Sequence, residues 1–221
     1  MRECKCQATN YHDYEKCRVL QMDLIVIAGF LGSGKTTMIL STISRIIERT
    51  GKKIVIIVND FGKIGIDGKI MQKYGLQVQE LASGCICCTL GPDFISTLKT
   101  VALEFSPDIV MVEPTGIADP QAILNSLEFY NGPSINRRII AVIVDAVRFS
   151  AIVRALERPL KAQVKAAGLV IINKIDEVPD GTVKEIEAKI REIRGSVPVI
   201  PASAIEGTNL DKVVDFLVSA C

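Results

Sequence analysis

From residue 22 onward the chain alternates short, continuously apolar runs with longer stretches whose apolar residues recur every three or four positions. Runs such as Ile-Val-Ile-Ile-Val (54–58) and Ile-Ile-Ala-Val-Ile-Val (139–144) are apolar at successive positions, as strands covered on both faces must be. This reading predicts strands at Leu24–Ala28, Ile54–Val58, Ile109–Val112, Ile139–Val144, Leu169–Ile172 and Pro198–Ile200. Helices are predicted at Lys35–Arg49, Asp93–Phe105, Gln121–Phe129, Val183–Ile193 and Leu210–Ser219. Repeated strand–helix units imply an α/β fold of three layers, a mostly parallel central sheet with helices on both faces. Two segments break the alternation. Residues 1–21 are polar, without a period, and read as an N-terminal extension to a domain spanning 22–221. Residues 59–92 are glycine-rich and polar, and a long irregular segment inside a compact domain is usually functional or disordered.

Charge narrows the partners. With 26 Lys and Arg against 25 Asp and Glu, the net charge is +1, which speaks against a nucleic-acid surface. No apolar run reaches the length of a membrane span, and charged residues interrupt the first 21 positions, so neither a membrane nor a secretion signal is expected. Seven cysteines without an export signal suit a reducing compartment, and the cytoplasm is the expected setting.

The strongest chemical signal is Gly29-Phe-Leu-Gly32-Ser33-Gly34-Lys35-Thr36-Thr37, which follows one predicted strand and opens one predicted helix. Glycines let backbone N–H groups wrap a phosphate, and the helix N-terminus supplies further free donors. Lys35 would neutralise β- and γ-phosphate oxygens, and the Thr36 hydroxyl would coordinate Mg²⁺. Asn173-Lys174-Ile175-Asp176 follows a late strand, at the sheet edge where ligands bind. A carboxylate at Asp176 accepts from the ring N–H and exocyclic amine of guanine, a donor pair that adenine lacks, so GTP and GDP are the expected ligands. Asn173 would pin the loop, Lys174 would lie along the base, and the Ser203–Ala204 backbone would complete the pocket. Asp60 and Glu113, each at a strand end, are candidates to sense or polarise the γ-phosphate, with Asp60 also a Mg²⁺ ligand and Gly116 a donor to the γ-phosphate. Asp145, after another strand, reads as a residue that stabilises its own loop.

Cys85, Cys87 and Cys88 place three thiols in four positions. As thiolates they would suit a soft or borderline ion, Zn²⁺ foremost, with Co²⁺, Ni²⁺ or Cu⁺ as alternatives. A buried apolar turn and a redox pair are the competing readings of the same cluster. Cys4, Cys6, His12 and Cys17 form a second group, either a further metal-loading site or incidental to a tail, and Cys221 reads as incidental.

In these motifs the chain resembles the CobW-like family of P-loop GTPases, which is close to the UreG and HypB metal-insertion GTPases. The resemblance is carried by GFLGSGKTT (29–37), VNDFGKIGIDG (58–68), ELASGCICCTL (80–90), EPTGIADP (113–120), VDA (144–146) and NKID (173–176), in family order. It implies a P-loop NTPase fold and a slow GTPase that couples nucleotide state to handling a transition metal. A client metalloprotein or cofactor-dependent enzyme is then the expected partner, together with a nucleotide-dependent homodimer. Lying between the Asp60 and Glu113 segments, the Cys-x-Cys-Cys site would change its metal affinity with nucleotide by about 5- to 150-fold. The alternative is a GTP-dependent regulatory or activator protein, for a metallo- or corrinoid enzyme, in which the cysteines are structural. Lys63 stands where family members commonly carry an acid, which removes one carboxylate from that path. Longer members carry a C-terminal domain that docks targets, and because the sequence stops near the end of the G domain, recognition is expected to use another surface.

Overall fold

The computed structural model describes residues 21–58, 77–80 and 92–219. Seven parallel strands form one sheet: β1 (Gln21–Gly29), β2 (Ile54–Val58), β3 (Gln77–Glu80), β4 (Ile109–Glu113), β5 (Ser134–Asp145), β6 (Leu169–Asn173) and β7 (Val199–Pro201). Their order across the sheet is β3-β2-β4-β1-β5-β6-β7. The helices are α1 (Lys35–Thr50), α2 (Pro92–Phe105), α3 (Pro120–Ser126), α4 (Phe149–Ala166), α5 (Asp180–Ile193) and α6 (Leu210–Val218).

Alternation along the strands explains the layers. Leu24 and Val26 of β1 join a core with α2, α3, α4 and α5, whereas Ile25 and Ile27 join a second core with α1 and α6. Every residue of β2 and β6 is buried, so both faces of these strands are covered and the continuous apolar runs are accounted for. The three-layer α/β architecture expected from the sequence is therefore the observed one.

Three elements differ from the sequence reading. β3 is a four-residue strand of composition Gln-Val-Gln-Glu, paired on one side only, inside the segment taken as irregular. β5 begins at Ser134 rather than 139, because its first half alternates in exposure and only the second half is continuously buried. α4 was not anticipated. Pro159 lies inside it, and the helix kinks at Leu156 (φ −136°), as expected where proline removes a backbone donor.

β1 lies between β4 and β5, the pair at which the chain's path across the sheet reverses direction. Loops leaving the carboxyl ends of these strands diverge there and leave a crevice, the usual ligand position in an open α/β sheet. The glycine-rich loop after β1 sits at that point.

Candidate nucleotide site

The loop begins where Gly29 ends β1, closes a turn through Ser33 N–H to the Phe30 carbonyl (3.1 Å), and enters α1 at Lys35. Gly34 caps the helix with φ 92°. A Cβ at that position would lie 2.3 Å from Asn173 Nδ2, so both the backbone angle and the space require glycine. Among the described residues no side chain caps α1, and no acidic residue lies in its first turn. Its N–H groups and positive dipole end are left for an anion. Ser33 is fully buried, and its Oγ has no partner among the described residues. Unpaired donors around a glycine cradle fit a bound phosphate chain.

Lys35 is buried, with Nζ 3.4 Å from the Phe30 carbonyl and 4.0 Å from Glu113 Oε1. Burial pushes its pKa down, and the Glu113 charge only partly restores it. The Thr36 hydroxyl donates to the Glu113 carboxylate, lying 2.9 Å from each oxygen. Burial pushes the Glu113 carboxyl up, against the hydrogen bond from Thr36 and the charge of Lys35. Sequence reasoning named all three residues, and the fold brings them together across β1 and β4. Thr36 and Glu113 are hard oxygen donors side by side, and such a set fits Mg²⁺. Thr37 is exposed in the first turn of α1.

Beyond Glu113 the chain crosses the loop tip. A Cβ on Gly116 would lie 2.5 Å from Leu31 N, so only glycine permits this approach. Gln163 on α4, itself buried, donates to the Gly116 and Ala118 carbonyls at 3.2 Å each. Asp119 then caps α3 by accepting from Gln121 N–H. The apolar Leu31 and Ile117 side chains stand exposed at this edge.

Asn173 links two loops. Its amide donates to the Ser33 carbonyl (2.9 Å) and its carbonyl accepts from Ala204 N–H (3.0 Å). One buried side chain thus joins the phosphate loop to the 201–204 segment. That segment is held by the turn that follows it: Ser203 N–H donates to the Thr208 carbonyl, and Ser203 Oγ accepts from Glu206 N–H. Lys174 adopts a left-handed conformation (φ 66°) that turns the chain into the short 3-10 helix 175–177. Asp176 is exposed on that turn. Asp145 stabilises its loop as read from the sequence, accepting from Val147 and Arg148 N–H. It also accepts from Arg148 Nε and Lys174 Nζ; burial would raise its pKa, but these donors outweigh burial and hold it low. Arg148 and Gln163 escaped the sequence reading because α4 did. A polar Gln163 between Leu160 and Val164 on the buried helical face was the only available signal.

Asp60, Cys85, Cys87, Cys88 and Cys221, and the N-terminal group Cys4, Cys6, His12 and Cys17, lie outside the described residues. Among the described residues no three His, Cys, Asp or Glu side chains gather into a metal site, and no helix is long and apolar enough to cross a membrane.

The family model described as "CobW/HypB/UreG, nucleotide-binding domain" matches residues 23–201. A Sinorhizobium protein named "Zinc chaperone CobW" is 32% identical over 197 residues, covering 75% of this chain and 54% of the relative. The Escherichia coli K12 protein "Zinc chaperone YeiR" is 35% identical over 153 residues, covering 68% of this chain and 46% of the relative. The chain thus spans about half the length of these relatives. Among solved structures, the hydrogenase maturation factor HypB of Archaeoglobus fulgidus superposes with a TM-score of 0.66 at 20% identity, covering 93% of each chain, which speaks for the fold.

Proposed function

The chain belongs to the CobW/HypB/UreG nucleotide-binding family, and on that premise we propose that it is a GTP-hydrolysing metallochaperone domain. In this reading GTP binding and hydrolysis set the affinity of Cys85, Cys87 and Cys88 for a transition metal, which is passed to a client metalloprotein. The observation that carries the nucleotide half is the joined constellation of Lys35, Thr36 and Glu113 beneath a loop that Asn173 ties to the guanine-selecting segment. The metal half rests on the cysteine cluster and on the names of the two zinc-chaperone relatives, and Zn²⁺ is accordingly the proposed cargo.

Each residue then has a defined task. Lys35 meets the β- and γ-phosphates, and their charge offsets the desolvation that lowers its pKa. Asp176, exposed on the turn after β6, accepts from guanine. Thr36 and Glu113 would hold Mg²⁺ together with Asp60, and the chemistry a bound Mg²⁺ supplies is neutralisation of charge on the phosphate oxygens. Water is the nucleophile. No described side chain is placed as a strong base, so positioning and charge carry the rate and hydrolysis is slow. Gly116, whose carbonyl Gln163 holds, offers its N–H to the γ-phosphate. The exposed Leu31 and Ile117 at the loop tip fit a nucleotide-dependent homodimer.

Zn²⁺ titration of the reduced protein, once with GDP and once with a non-hydrolysable GTP analogue, tests the coupling. Affinities that differ by about fivefold or more, and a difference that disappears when the three cysteines become serine, are expected. Equal affinities in the two states would end the coupling idea.

A further inference from the structure

Asp145 is fully buried at the end of β5 and collects four donors. The N–H groups of Val147 (3.0 Å) and Arg148 (3.1 Å) go to Oδ1, and Arg148 Nε (2.7 Å) and Lys174 Nζ (2.9 Å) go to Oδ2. The first pair is an ordinary turn that would close without any side-chain cation. The second pair reaches further. Lys174 belongs to the loop that carries Asp176, and the Arg148 guanidinium goes on to donate from Nη2 to the Leu31 carbonyl at 2.7 Å. The guanidinium lies against the loop: a Cβ on Gly32 would sit 2.8 Å from Nη2.

A phosphate loop works by turning its N–H groups inward, which leaves carbonyls such as that of Leu31 facing out, where a side-chain donor can fix them in place of water. Arg148 supplies that donor, and only a fork of two nitrogens can reach Asp145 and Leu31 together. The chain Lys174–Asp145–Arg148–Leu31 therefore crosses from the base end of the site to its phosphate end. It is separate from the Asn173 link to Ser33.

We propose that Arg148 is a positioning residue that holds the phosphate-loop tip in its receptive shape and, through Asp145, couples that shape to the base-recognition loop. The inference rests on the guanine-nucleotide reading above. Because the Arg148 side chain is 46% exposed and Leu31 is 77% exposed, truncation opens no cavity in the core; it does leave the buried Asp145 with Lys174 as its remaining side-chain cation among the described residues, a cost that the melting temperatures read.

The test is a double-mutant cycle read by GDP binding to wild type, Arg148→Ala, Lys174→Ala and the double variant, with melting temperatures for all four. Each single change is expected to weaken GDP about tenfold. The double variant should fall short of the multiplied loss by about threefold or more, because both residues act through one carboxylate. Arg148→Lys should remain weak, since one ammonium cannot span both acceptors. Losses that simply multiply, GDP binding unchanged by Arg148→Ala, or full rescue by lysine would each overturn the proposal while leaving the nucleotide reading in place. A wild-type protein that binds no guanine nucleotide would remove both.

Discussion

Replacing Asn173 with alanine removes two hydrogen bonds that connect segments 140 and 31 residues apart. Asn173 is 2% exposed, and both partners are buried as well, with Ser33 fully so and Ala204 6% exposed. The loss is therefore not only two net bonds of about 1 kcal/mol each; the Ser33 carbonyl and Ala204 N–H are also left unpaired. Water entering from the nucleotide crevice recovers part of that penalty, so about 3 kcal/mol is the expected cost. For a chain of this size the change lowers the melting temperature by roughly 6–12 °C. Asn173→Asp separates the two contacts. It keeps an acceptor for Ala204 N–H but sets a carboxylate oxygen against the Ser33 carbonyl, so it should bind GDP no better than the alanine variant. Differential scanning calorimetry without nucleotide, paired with GDP titration, reads both effects. A melting temperature within 1–2 °C of wild type with unchanged GDP affinity would refute the idea that this side chain fastens the phosphate loop, because about 3 kcal/mol could not hide in so small a shift.

Other expectations follow from the same geometry. Gly34→Ala forces a side chain into φ 92° and within 2.3 Å of Asn173 Nδ2, so GDP binding should weaken at least about tenfold, read by titration. Glu113→Gln should raise the melting temperature of the nucleotide-free protein at neutral pH while slowing GTP hydrolysis. Burial raises the Glu113 pKa, so its protonated form is favoured in the fold and the stability it contributes is lost as pH rises through that folded value. The gap between variant and wild type should accordingly shrink as pH falls into the carboxylate range. Asp145→Asn should behave oppositely. Its pKa is held below the ordinary carboxylate value, so its contribution is present above that ordinary value and lost as pH falls through the lower folded one. Denaturant titrations should show a deficit of about 1–2 kcal/mol at pH 7 that closes in acid.

The phosphate loop, its strand–helix context and the strand ends bearing Glu113 and Asn173 were legible because covered parallel strands need unbroken apolar runs. Where burial is one-sided, that signal fades. The first half of β5, Ser-Ile-Asn-Arg-Arg-Ile (134–139), alternates exposed and half-buried positions and is mostly polar, and β3 has polar residues at three of its four positions. α4 was concealed by Pro159 and by the charged residues Glu157 and Arg158 beside it, yet it carries Gln163 and, at its cap, Arg148. Both residues act on backbone carbonyls of distant loops, a contact that no local pattern of residue types records. Asp145 was readable as a turn residue, but its role as the meeting point of Lys174 and Arg148 emerged only when β5 and β6 were set side by side.

Phosphate release from GTP and from ATP, measured for wild type and Lys35→Ala with Mg²⁺ present, tests the central claim most directly. The account predicts slow hydrolysis of GTP, ATP turnover lower by about a hundredfold because Asp176 finds no donor pair on adenine, and no turnover by the Lys35 variant. Equal turnover of the two nucleotides, or undiminished GTP hydrolysis after Lys35→Ala, would contradict it.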